Sequence, residues 1–382
     1  MRVLVALTYY RPYTSGLTIY AERLAVGLAA RGHHVTVLTS QYDSSLPREE
    51  VLHGVNVVRV PVAARISKGV IMPTFGLEAT RLTLSHDVLS LHMPQFDAPG
   101  LALRGRLLGK PVVLTYHCDL QLPPGAFNRI VDRVVQVANN AAGSLATKIV
   151  AYTEDFATHS PYLSRFKSKV EIIPPPVEIP DSAPADVEAF KQRYNLTGPV
   201  IGMAARLAAE KGVEVLLDAM PKIIAAHPDA RVLFAGPFEQ VLGEEAYARR
   251  LAPLFEKYRN NWTFVGTLSQ RELATFFHVC DVVTVPSLNS TESFGLVQVE
   301  AMLCGTPSIA SNLPGVRQPP TQTGMGLVVP IGDSDALGDA ILTIIADPQR
   351  FQRSRDEIAA RFSTDRTVTA YEALFQRLSR SN

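Results

Sequence analysis

The amino-acid sequence predicts an α/β protein with two domains, each a parallel sheet wound with helices. Short β-branched runs alternate with helix-spaced segments along the whole chain. Midway, residues 174–184 carry five prolines in eleven positions and interrupt this alternation. The 382 residues, 47% of them apolar, are enough for two buried cores. Ligands of such sheets bind beyond the carboxyl ends of the strands, so we expect a site in the cleft between the domains.

The first domain is predicted over residues 1–173. Helical segments fall between most of its strands, and over Leu17–Ala30 the apolar residues Ile19, Leu24 and Leu28 have roughly helical spacing. The predicted strands are Val3–Thr8, His34–Thr39, Val55–Val60, Val88–Leu91, Val112–Tyr116, Ile149–Tyr152 and Val170–Ile173.

Residues 174–186 are predicted to form an extended linker, because proline lacks a backbone donor and disfavours helix at the residue before it. The second domain follows over residues 187–364, and Asp365–Arg380 has the apolar spacing of a last helix. The strands predicted here are Val200–Ala204, Val232–Ala235, Thr263–Val265, Val282–Pro286, Ser308–Ala310 and Leu327–Val329.

Composition excludes several classes of protein. A net charge of +1 gives no bulk field that would recruit nucleic acid. The three cysteines are few and far apart, which favours reduced thiols and a cytoplasmic protein. Met1–Thr8 is too short for a signal peptide, and no window offers the ~20 apolar residues of a membrane span. The sequence has neither a Walker A loop nor G-x-G-x-x-G, so ATP hydrolysis and nicotinamide binding lack support.

Two carboxylates eight positions apart, Glu292 and Glu300, are the most informative motif. They flank a loop that turns into a helix near Phe294–Leu296. Eight residues of helix rise about 12 Å, too far for a coupled catalytic pair but suited to opposite ends of one elongated ligand. The free N–H groups at the helix start favour a phosphate between them.

Glu292-x7-Glu300, followed by Cys304–Ser311, resembles the signature of retaining nucleotide-sugar glycosyltransferases of family 4. The resemblance implies the GT-B fold: two Rossmann-like domains with a deep interdomain cleft, an N-terminal acceptor domain and a C-terminal donor domain. It also implies that helix 365–380 crosses back onto the first domain, the alternative being an ordinary helix of the second. Matching segments include Gly16, Arg31–Val35, Thr115–His117, Gly202–Arg206 and Lys211–Gly212.

The resemblance assigns Arg206 and Lys211 to the donor diphosphate, with that diphosphate as their counter-charge. They would stabilise the negative charge that develops on the leaving group. Glu300 would bind the ribose hydroxyls and Glu292 the hydroxyls of the transferred sugar. The remaining donor-binding candidates, through backbone N–H groups or proximity, are Ser293, Phe294, Gly295, Leu296 and Val297.

On the first domain, the resemblance implies that His117 approaches the donor sugar through its carbonyl and ring, the alternative being a structural histidine. Asp119 and Ser15 are weaker candidates for acceptor contact, Asp119 also as a base. Gly16 lets the backbone come close to a phosphate or sugar. Relatives often carry two adjacent glycines there, where this chain has Ser15-Gly16.

No metal or other cofactor is expected besides the nucleotide-sugar co-substrate. Asp333-Ser-Asp335 is a D-x-D sequence, but it precedes a helical pattern at Ala336–Ile345, and Ser334 or Asp335 is interpreted as its N-cap. The nine histidines show no zinc-like spacing.

A membrane surface is a further candidate partner. Phe127–Leu145 is amphipathic, and Leu103–Lys110 places three cations among apolar residues. Relatives that glycosylate lipids dock on anionic membranes through this part of the first domain. The alternative is a core-facing helix with basic residues in water. Localisation is therefore expected to be cytoplasmic, with peripheral association at the inner membrane face left open.

The expected activity is metal-independent, retaining transfer of a hexose from a UDP- or GDP-sugar to a hydroxyl acceptor, which is a glycolipid, a polysaccharide precursor or a small sugar. Front-face substitution is the expected mechanism. The alternatives are a sugar-nucleotide epimerase, a phosphorylase, and a catalytically silent nucleotide-sugar-binding protein.

Overall fold

The structure is a computed structural model that describes residues 1–66, 69–121, 126–239, 241 and 243–380. The chain divides into two compact units. Unit 1 comprises Met1–Pro176 and Phe362–Asn382, and unit 2 comprises Val177–Arg361. The predicted α/β class is confirmed, because each unit contains a largely parallel sheet with helices.

Unit 1 contains an eight-stranded sheet with the order β10-β9-β8-β7-β1-β2-β4-β3, in which only β3 runs antiparallel to its neighbour. The order reverses between β1 and β7, so the loops after these two strands diverge. The strands are β1 (Arg2–Ala6), β2 (His34–Gln41), β3 (Glu49–Leu52), β4 (Val55–Pro61), β5 (Ala64–Ile66), β6 (Gly69–Ile71), β7 (Val88–Met93), β8 (Val112–Tyr116), β9 (Lys148–Ala151) and β10 (Val170–Ile172).

Helices connect these strands and cover an apolar core that includes Leu4, Leu89 and Leu114. The β5–β6 hairpin is separate from the main sheet, and neither it nor the charged edge strand β3 was predicted. The helices are α1 (Gly16–Ala30), α2 (Phe75–Ser85), α3 (Ala98–Leu107), α4 (Ala126–Leu145) and α5 (Glu154–His159), with a 3₁₀ segment at Leu163–Lys169.

Unit 2 contains a six-stranded parallel sheet with the order β13-β12-β11-β14-β15-β16. The order reverses between β11 and β14. Its strands are β11 (Val200–Ala204), β12 (Arg231–Ala235), β13 (Trp262–Gly266), β14 (Val282–Val285), β15 (Ser308–Ser311) and β16 (Gly326–Val329). Every strand predicted from the sequence is present, with ends moved by a residue or two.

The helices of unit 2 pack on both faces of its sheet, around a core that includes Met203, Leu216 and Phe234. They are α6 (Pro184–Arg193), α7 (Val213–Ala226), α8 (Glu245–Lys257), α9 (Gln270–Val279), α10 (Leu296–Leu303), α11 (Gln318–Thr323), α12 (Ser334–Ala346) and α13 (Arg355–Phe362), with 3₁₀ turns at Ala209–Lys211 and Pro348–Phe351.

The last helix, α14 (Thr364–Arg380), packs against α1 within unit 1. The Tyr371 hydroxyl lies 2.8 Å from that of Tyr20 and 2.7 Å from Oγ1 of Thr115. A Cβ built at Gly27 of α1 would lie 2.5 Å from Cγ2 of Val368, so only glycine allows the two helices to lie this close. Burial of Val368, Tyr371 and Leu374 stabilises the contact.

Candidate functional site

Two loops of unit 2 meet at the point where its strand order reverses. One follows β11 and leads to α7, and the other follows β14 and leads to α10. The Leu288 N–H donates to the Glu210 carbonyl over 2.9 Å, which ties the loops together. Gly212 has a φ of 66°, and a Cβ there would lie 2.1 Å from the Pro286 carbonyl oxygen. The residues predicted from the two loops are therefore brought to one place.

Lys211 and Glu292 form a direct contact across these loops. The Lys211 Nζ donates to Glu292 Oε2 over 2.5 Å, although the residues are 81 positions apart. Both side chains keep some exposure, 23% and 18% respectively.

The two cations that were predicted to bind a diphosphate are paired with carboxylates of unit 2. Lys211 pairs with Glu292, and the Arg206 guanidinium donates to the Glu210 carboxylate four residues on. The 3₁₀ turn at Ala209–Lys211 returns Glu210 toward Arg206, which explains the second pair. Each cation therefore has a carboxylate of its own within unit 2.

Gly295 starts α10 in a left-handed conformation, with a φ of 75°. The buried Gln298 amide lies against it, since a Cβ at Gly295 would be 2.7 Å from Gln298 Nε2. Gln298 donates to the carbonyls of Phe294 and Val316, at 2.9 and 3.0 Å, and accepts from Ser308 Oγ at 3.0 Å. This amide fixes where the helix begins. Sequence reasoning overlooked Gln298, although one polar residue within an apolar helix turn was a usable signal.

The helix begins at Leu296, at the end of the predicted transition over Phe294–Leu296. Glu292 therefore lies in the loop, and the eight-residue helical rise assumed between the two glutamates is wrong. Only Leu296–Glu300 is helical, a rise of about 6 Å. Glu300 is buried in α10, at 5% exposure, and Ser293 and Phe294 are also buried. Leu296 and Val297 occupy the first two positions of the helix, where backbone N–H groups have no partner within it.

Ser15 and Gly16 lie at the start of α1 in unit 1. The Ser15 Oγ accepts from the Thr18 N–H at 3.2 Å and lies 2.9 Å from Thr18 Oγ1, so this side chain caps the helix. Its contacts show a capping function, and the acceptor contact of Ser15 stays a prediction. A Cβ at Gly16 would meet no atom within 4 Å, so there is open space beside this backbone.

The His117 ring is occupied within unit 1. Its Nε2 lies 2.9 Å from Nδ1 of His92, its Nδ1 is hydrogen-bonded to the Tyr152 hydroxyl, and the residue is 6% exposed. Partners from β7 and from the residue after β9 therefore surround the ring, and its approach to a sugar stays a prediction. The His117 backbone, which follows β8 directly, remains at the carboxyl edge of the sheet.

Asp119 is also anchored internally. Its Oδ1 accepts from the Tyr116 hydroxyl at 2.9 Å and from Ser160 Oγ at 2.7 Å. Burial raises the pKa of its carboxyl above the usual value, and the two hydrogen bonds oppose that rise. These contacts indicate a structural function for Asp119, and its acceptor contact stays a prediction.

Gln95 and Asp97 follow β7, on the side of the strand-order reversal opposite the Ser15 loop. Gln95 is 3% exposed, and neither atom of its amide has a hydrogen-bond partner among the residues that the structure describes. Burial raises the pKa of Asp97 to about 6. A buried amide without partners is a group that a ligand hydroxyl would satisfy. No sequence signal pointed here, because Gln-Phe-Asp matches no known motif.

The D-x-D sequence is a helix cap. Asp333 Oδ1 accepts from the Ala336 N–H at 2.9 Å, so Asp333 is the N-cap of α12 and the predicted Ser334 or Asp335 is wrong. Helix α12 begins at Ser334, two residues before the apolar pattern becomes visible. Within the described ranges, no group of three or more His, Cys, Asp or Glu side chains is arranged to hold a metal ion.

The predicted amphipathic face of α4 is only partly buried. Of the residues assigned to that face, Ala142 is buried, whereas Val134 is 47% exposed. The side chains of Phe127 and Ile130, also assigned to that face, lie outside the described residues. Among the helices that the structure covers, none combines the length and the apolar character needed to cross a bilayer.

Helix α3 exposes leucines beside cations. Leu103 and Leu107 are 45% and 75% exposed. Arg104 turns inward, donating to Thr80 Oγ1 at 2.8 Å and to the Gly100 carbonyl at 2.9 Å. A cavity of about 270 Å³ lies at the carboxyl end of this helix, and the cations that line it are Arg106, Lys110 and Lys169.

Buried histidines make unit 1 sensitive to acid. Burial lowers the pKa of His86, of His117 and of His92, the last to about 3. Below the unfolded-state pKa of about 6.5, the unfolded chain binds more protons, so stability falls as the pH falls from about 6.5 toward 3.

We therefore expect His92→Phe to reduce this dependence of stability on pH by the contribution of one histidine. Its free energy of unfolding in urea, relative to wild type, should improve by about 1.4 kcal/mol for each pH unit between pH 6 and pH 4. His53 is exposed, so His53→Asn is the matched control. Its free energy of unfolding should change with pH as that of wild type does. Parallel curves for His92→Phe and wild type would show that His92 is protonated in the folded protein.

Two family models and several curated proteins match this chain. Residues 15–176 match the family described as Glycosyl transferase 4-like domain, and residues 185–361 match Glycosyl transferases group 1. A D-inositol 3-phosphate glycosyltransferase of Segniliparus rotundus is 28% identical, over 94% of this chain and 84% of that one. A phosphatidyl-myo-inositol mannosyltransferase of Mycobacterium leprae is 27% identical, over 90% and 87%.

Solved structures show the same fold. Anabaena HepE in complex with UDP and glucose aligns with a TM-score of 0.77 at 19% identity, over 98% of this chain and 99% of that one. Sucrose-phosphate synthase from Thermosynechococcus elongatus aligns with a TM-score of 0.77 at 24% identity, over the full length of both chains. The fold is therefore GT-B.

Proposed function

Because this chain belongs to family 4 of the GT-B glycosyltransferases, we propose that it is a metal-independent, retaining hexosyltransferase with a nucleotide-diphosphate sugar as donor. The hexose passes to a hydroxyl acceptor. The observation that carries this proposal is the Lys211–Glu292 contact at the strand-order reversal of unit 2. It joins a cation suited to phosphate and a carboxylate suited to sugar hydroxyls at the start of one helix.

The donor diphosphate is proposed to bind at the start of α10. The N–H groups of Leu296 and Val297 have no partner within the helix, and the helix dipole favours an anion there. A diphosphate carries more negative charge than one carboxylate, so it competes with Glu292 for Lys211. Donor binding would then release Glu292 from the ion pair and make its oxygens available to the hydroxyls of the sugar.

The transfer step is proposed as substitution on one face of the sugar. The bond from the anomeric carbon to the phosphate oxygen breaks, and the bond to the acceptor oxygen forms on the same face. The proton of the acceptor hydroxyl passes to the departing phosphate. Lys211 and Arg206 stabilise the charge that develops on that phosphate, which is the interaction that strengthens in the transition state.

The acceptor is proposed to bind unit 1, at the edge that carries Gln95 and Asp97. The unpaired amide offers both a donor and an acceptor to a hydroxyl, and burial makes such a bond worth forming. Relatives named for D-inositol 3-phosphate and phosphatidyl-myo-inositol support a polyhydroxylated acceptor. Both compounds are therefore the acceptors to try first.

The proposal is tested by incubating the chain with radiolabelled UDP- and GDP-hexoses in EDTA. We expect slow release of nucleoside diphosphate without acceptor, and faster release with D-inositol 3-phosphate or with phosphatidylinositol vesicles. A labelled product of unchanged anomeric configuration would support retention. Interconversion of the free nucleotide sugars would indicate an epimerase, dependence on inorganic phosphate a phosphorylase, and binding without turnover a silent protein.

Glu210→Gln should tighten the binding of UDP or GDP. The substitution frees Arg206 from its ion pair, which a diphosphate must otherwise displace. Because Arg206 is partly exposed, the gain is about 0.5–1 kcal/mol, a few-fold lower Kd by titration calorimetry. Glu256 lies on α8 and forms an exposed pair with Arg259, so Glu256→Gln is the matched control and should leave the Kd unchanged. Weaker binding in Glu210→Gln would show that Arg206 does not contact the phosphates.

The exposed leucines of α3 and the cations beside them suit an anionic membrane surface. We expect the chain to sediment with vesicles containing phosphatidylglycerol and not with pure phosphatidylcholine. Leu107→Ser and Arg106→Gln should each weaken this binding several-fold, whereas Val51→Ser, exposed on β3, should not. Equal sedimentation with the two kinds of vesicle would contradict this surface.

A further inference from the structure

Two neutral histidines share one hydrogen bond in the interior of unit 1. His92 is the residue before Met93, which ends β7, and the Nδ1 of His92 lies 2.9 Å from Nε2 of His117. The other nitrogen of His117 is bonded to the Tyr152 hydroxyl. The other nitrogen of His92, Nε2, is buried and has no hydrogen-bond partner among the described residues. Burial lowers the pKa of both rings, so each carries one N–H near neutral pH.

These facts leave two arrangements of the protons. If His117 donates through Nε2, His92 must carry its proton on Nε2, where a buried N–H has no acceptor. If His92 donates through Nδ1, its Nε2 presents only a lone pair, and His117 carries its proton on Nδ1. Buried N–H groups without an acceptor are rarer in proteins than unsatisfied acceptors. The second arrangement therefore has the lower free energy.

We propose that His92 is a positioning residue that holds His117 in the Nδ1–H tautomer, donating to Tyr152. In this arrangement the His92 Nδ1–H donates to His117 Nε2, and the His117 Nδ1–H donates to the Tyr152 hydroxyl oxygen. Both ring nitrogens of His117 are then used within unit 1. The ring acts as an anchor, and His117 contributes to the reaction through its main chain.

Neighbouring aromatic residues hold this anchor in place. The Tyr20 ring lies edge-on to the His117 ring, with centroids 5.0 Å apart, and stacks on Tyr152 at 5.3 Å. The Tyr20 hydroxyl continues to Tyr371 of α14 and then to Thr115 of β8. The His117 N–H also donates to the Met93 carbonyl at 3.2 Å. The main chain at the end of β8 is thus held both by its hydrogen bond to β7 and by the contacts of the His117 ring.

The tautomer is measurable without any ligand, by nitrogen NMR of the folded chain labelled with ¹⁵N-histidine. His86 supplies an internal reference, because its Nδ1 lies 2.7 Å from the Leu82 carbonyl, which can only accept, and its Nε2 lies 2.9 Å from Thr36 Oγ1. We expect His92 and His117 to show the pattern of His86, with the proton on Nδ1 and a bare Nε2. A proton on Nε2 of His117 would overturn the proposal.

Variants connect the tautomer to activity. His92→Phe removes the donor to His117, so we expect the Nε2–H tautomer of His117 to appear. Acceptor-independent hydrolysis of the donor should fall about tenfold or more, the scale expected when a reacting group is displaced, with the Kd for nucleoside diphosphate unchanged. His92→Asn restores an N–H donor close to the position of Nδ1 and should recover both the spectrum and the rate. Thermal unfolding checks that each variant is folded.

The positioning function rests on the proposed transferase activity, but the tautomer does not. If wild type shows the expected spectrum and hydrolyses neither UDP- nor GDP-hexoses, the proposed function fails and the proton assignment stands. If His92→Phe changes the His117 tautomer and keeps the wild-type rate, His92 has no positioning function. If His92→Asn recovers neither property, the donated hydrogen bond is not what positions His117.

Discussion

Lys211→Ala is expected to lower the turnover of the nucleotide-sugar donor by about 10²–10³-fold. Lys211 supplies a positive charge beside Glu292, in the loop that leads to α10, and we propose that charge develops there on the leaving diphosphate. Its interaction is therefore stronger in the transition state than in the bound donor, so the loss should fall mainly on kcat. Nucleoside diphosphate release from radiolabelled donor measures the effect.

The control for this variant is Lys222→Ala. Lys222 lies on α7 of the same unit, but its Nζ is paired with Asp339 at 2.9 Å, away from the two loops. It should turn over donor at the wild-type rate. Lys211→Ala alone leaves the Glu292 carboxylate without its partner. The double variant Lys211→Ala/Glu292→Gln contains no unpaired carboxylate, so it distinguishes the loss of the lysine charge from the effect of that carboxylate. Turnover by Lys211→Ala within a few-fold of wild type would show that this lysine does not bind the phosphate.

Gly212→Ala should have the largest effect on stability among the substitutions of the site. Its φ of 66° costs a residue with a side chain about 1–2 kcal/mol. The new methyl group would also lie 2.1 Å from the Pro286 carbonyl oxygen, and relieving such a contact costs another ~1–3 kcal/mol. The free energy of unfolding should therefore fall by at least ~2 kcal/mol, and nucleotide binding should weaken as the loops separate. Urea unfolding and calorimetry measure the two effects.

Gly16→Ala is the matched comparison for stability. A Cβ there meets no atom within 4 Å, and Gly16 occupies the first position of α1. Alanine is the better helix former, so the free energy of unfolding should stay constant or rise slightly. Equal destabilisation by the two substitutions would mean that the Gly212–Pro286 approach does not decide the loop geometry.

Local patterns predicted the fold well. Each predicted β-branched run forms a strand. A buried strand is recognised from a short apolar run, which is a property of neighbouring residues in the sequence. Glu292, Gly295 and Glu300 were singled out from the sequence, and the structure places Glu292 in the loop before α10, Gly295 at its N-cap and Glu300 within it. The hairpin β5–β6 and the edge strand β3 were missed, because these strands are only three or four residues long.

The ion pairs and the histidine network were not predictable from spacing. Lys211 and Glu292 meet only because β11 and β14 are neighbours in the sheet. His117 looked available as a strand-end histidine, yet His92 on the adjacent strand occupies its ring. The amide of Gln95 lacks partners because the tertiary fold buries it, and the residues next to Gln95 in the sequence do not reveal that burial.

A crystal structure of the chain grown with UDP or GDP in EDTA tests the donor site most directly. We predict that the diphosphate lies at the start of α10, accepting from the N–H groups of Leu296 and Val297 and from Lys211, with Glu292 released from its ion pair. A nucleotide bound away from the loops that follow β11 and β14, with the Lys211–Glu292 pair intact, would contradict this account.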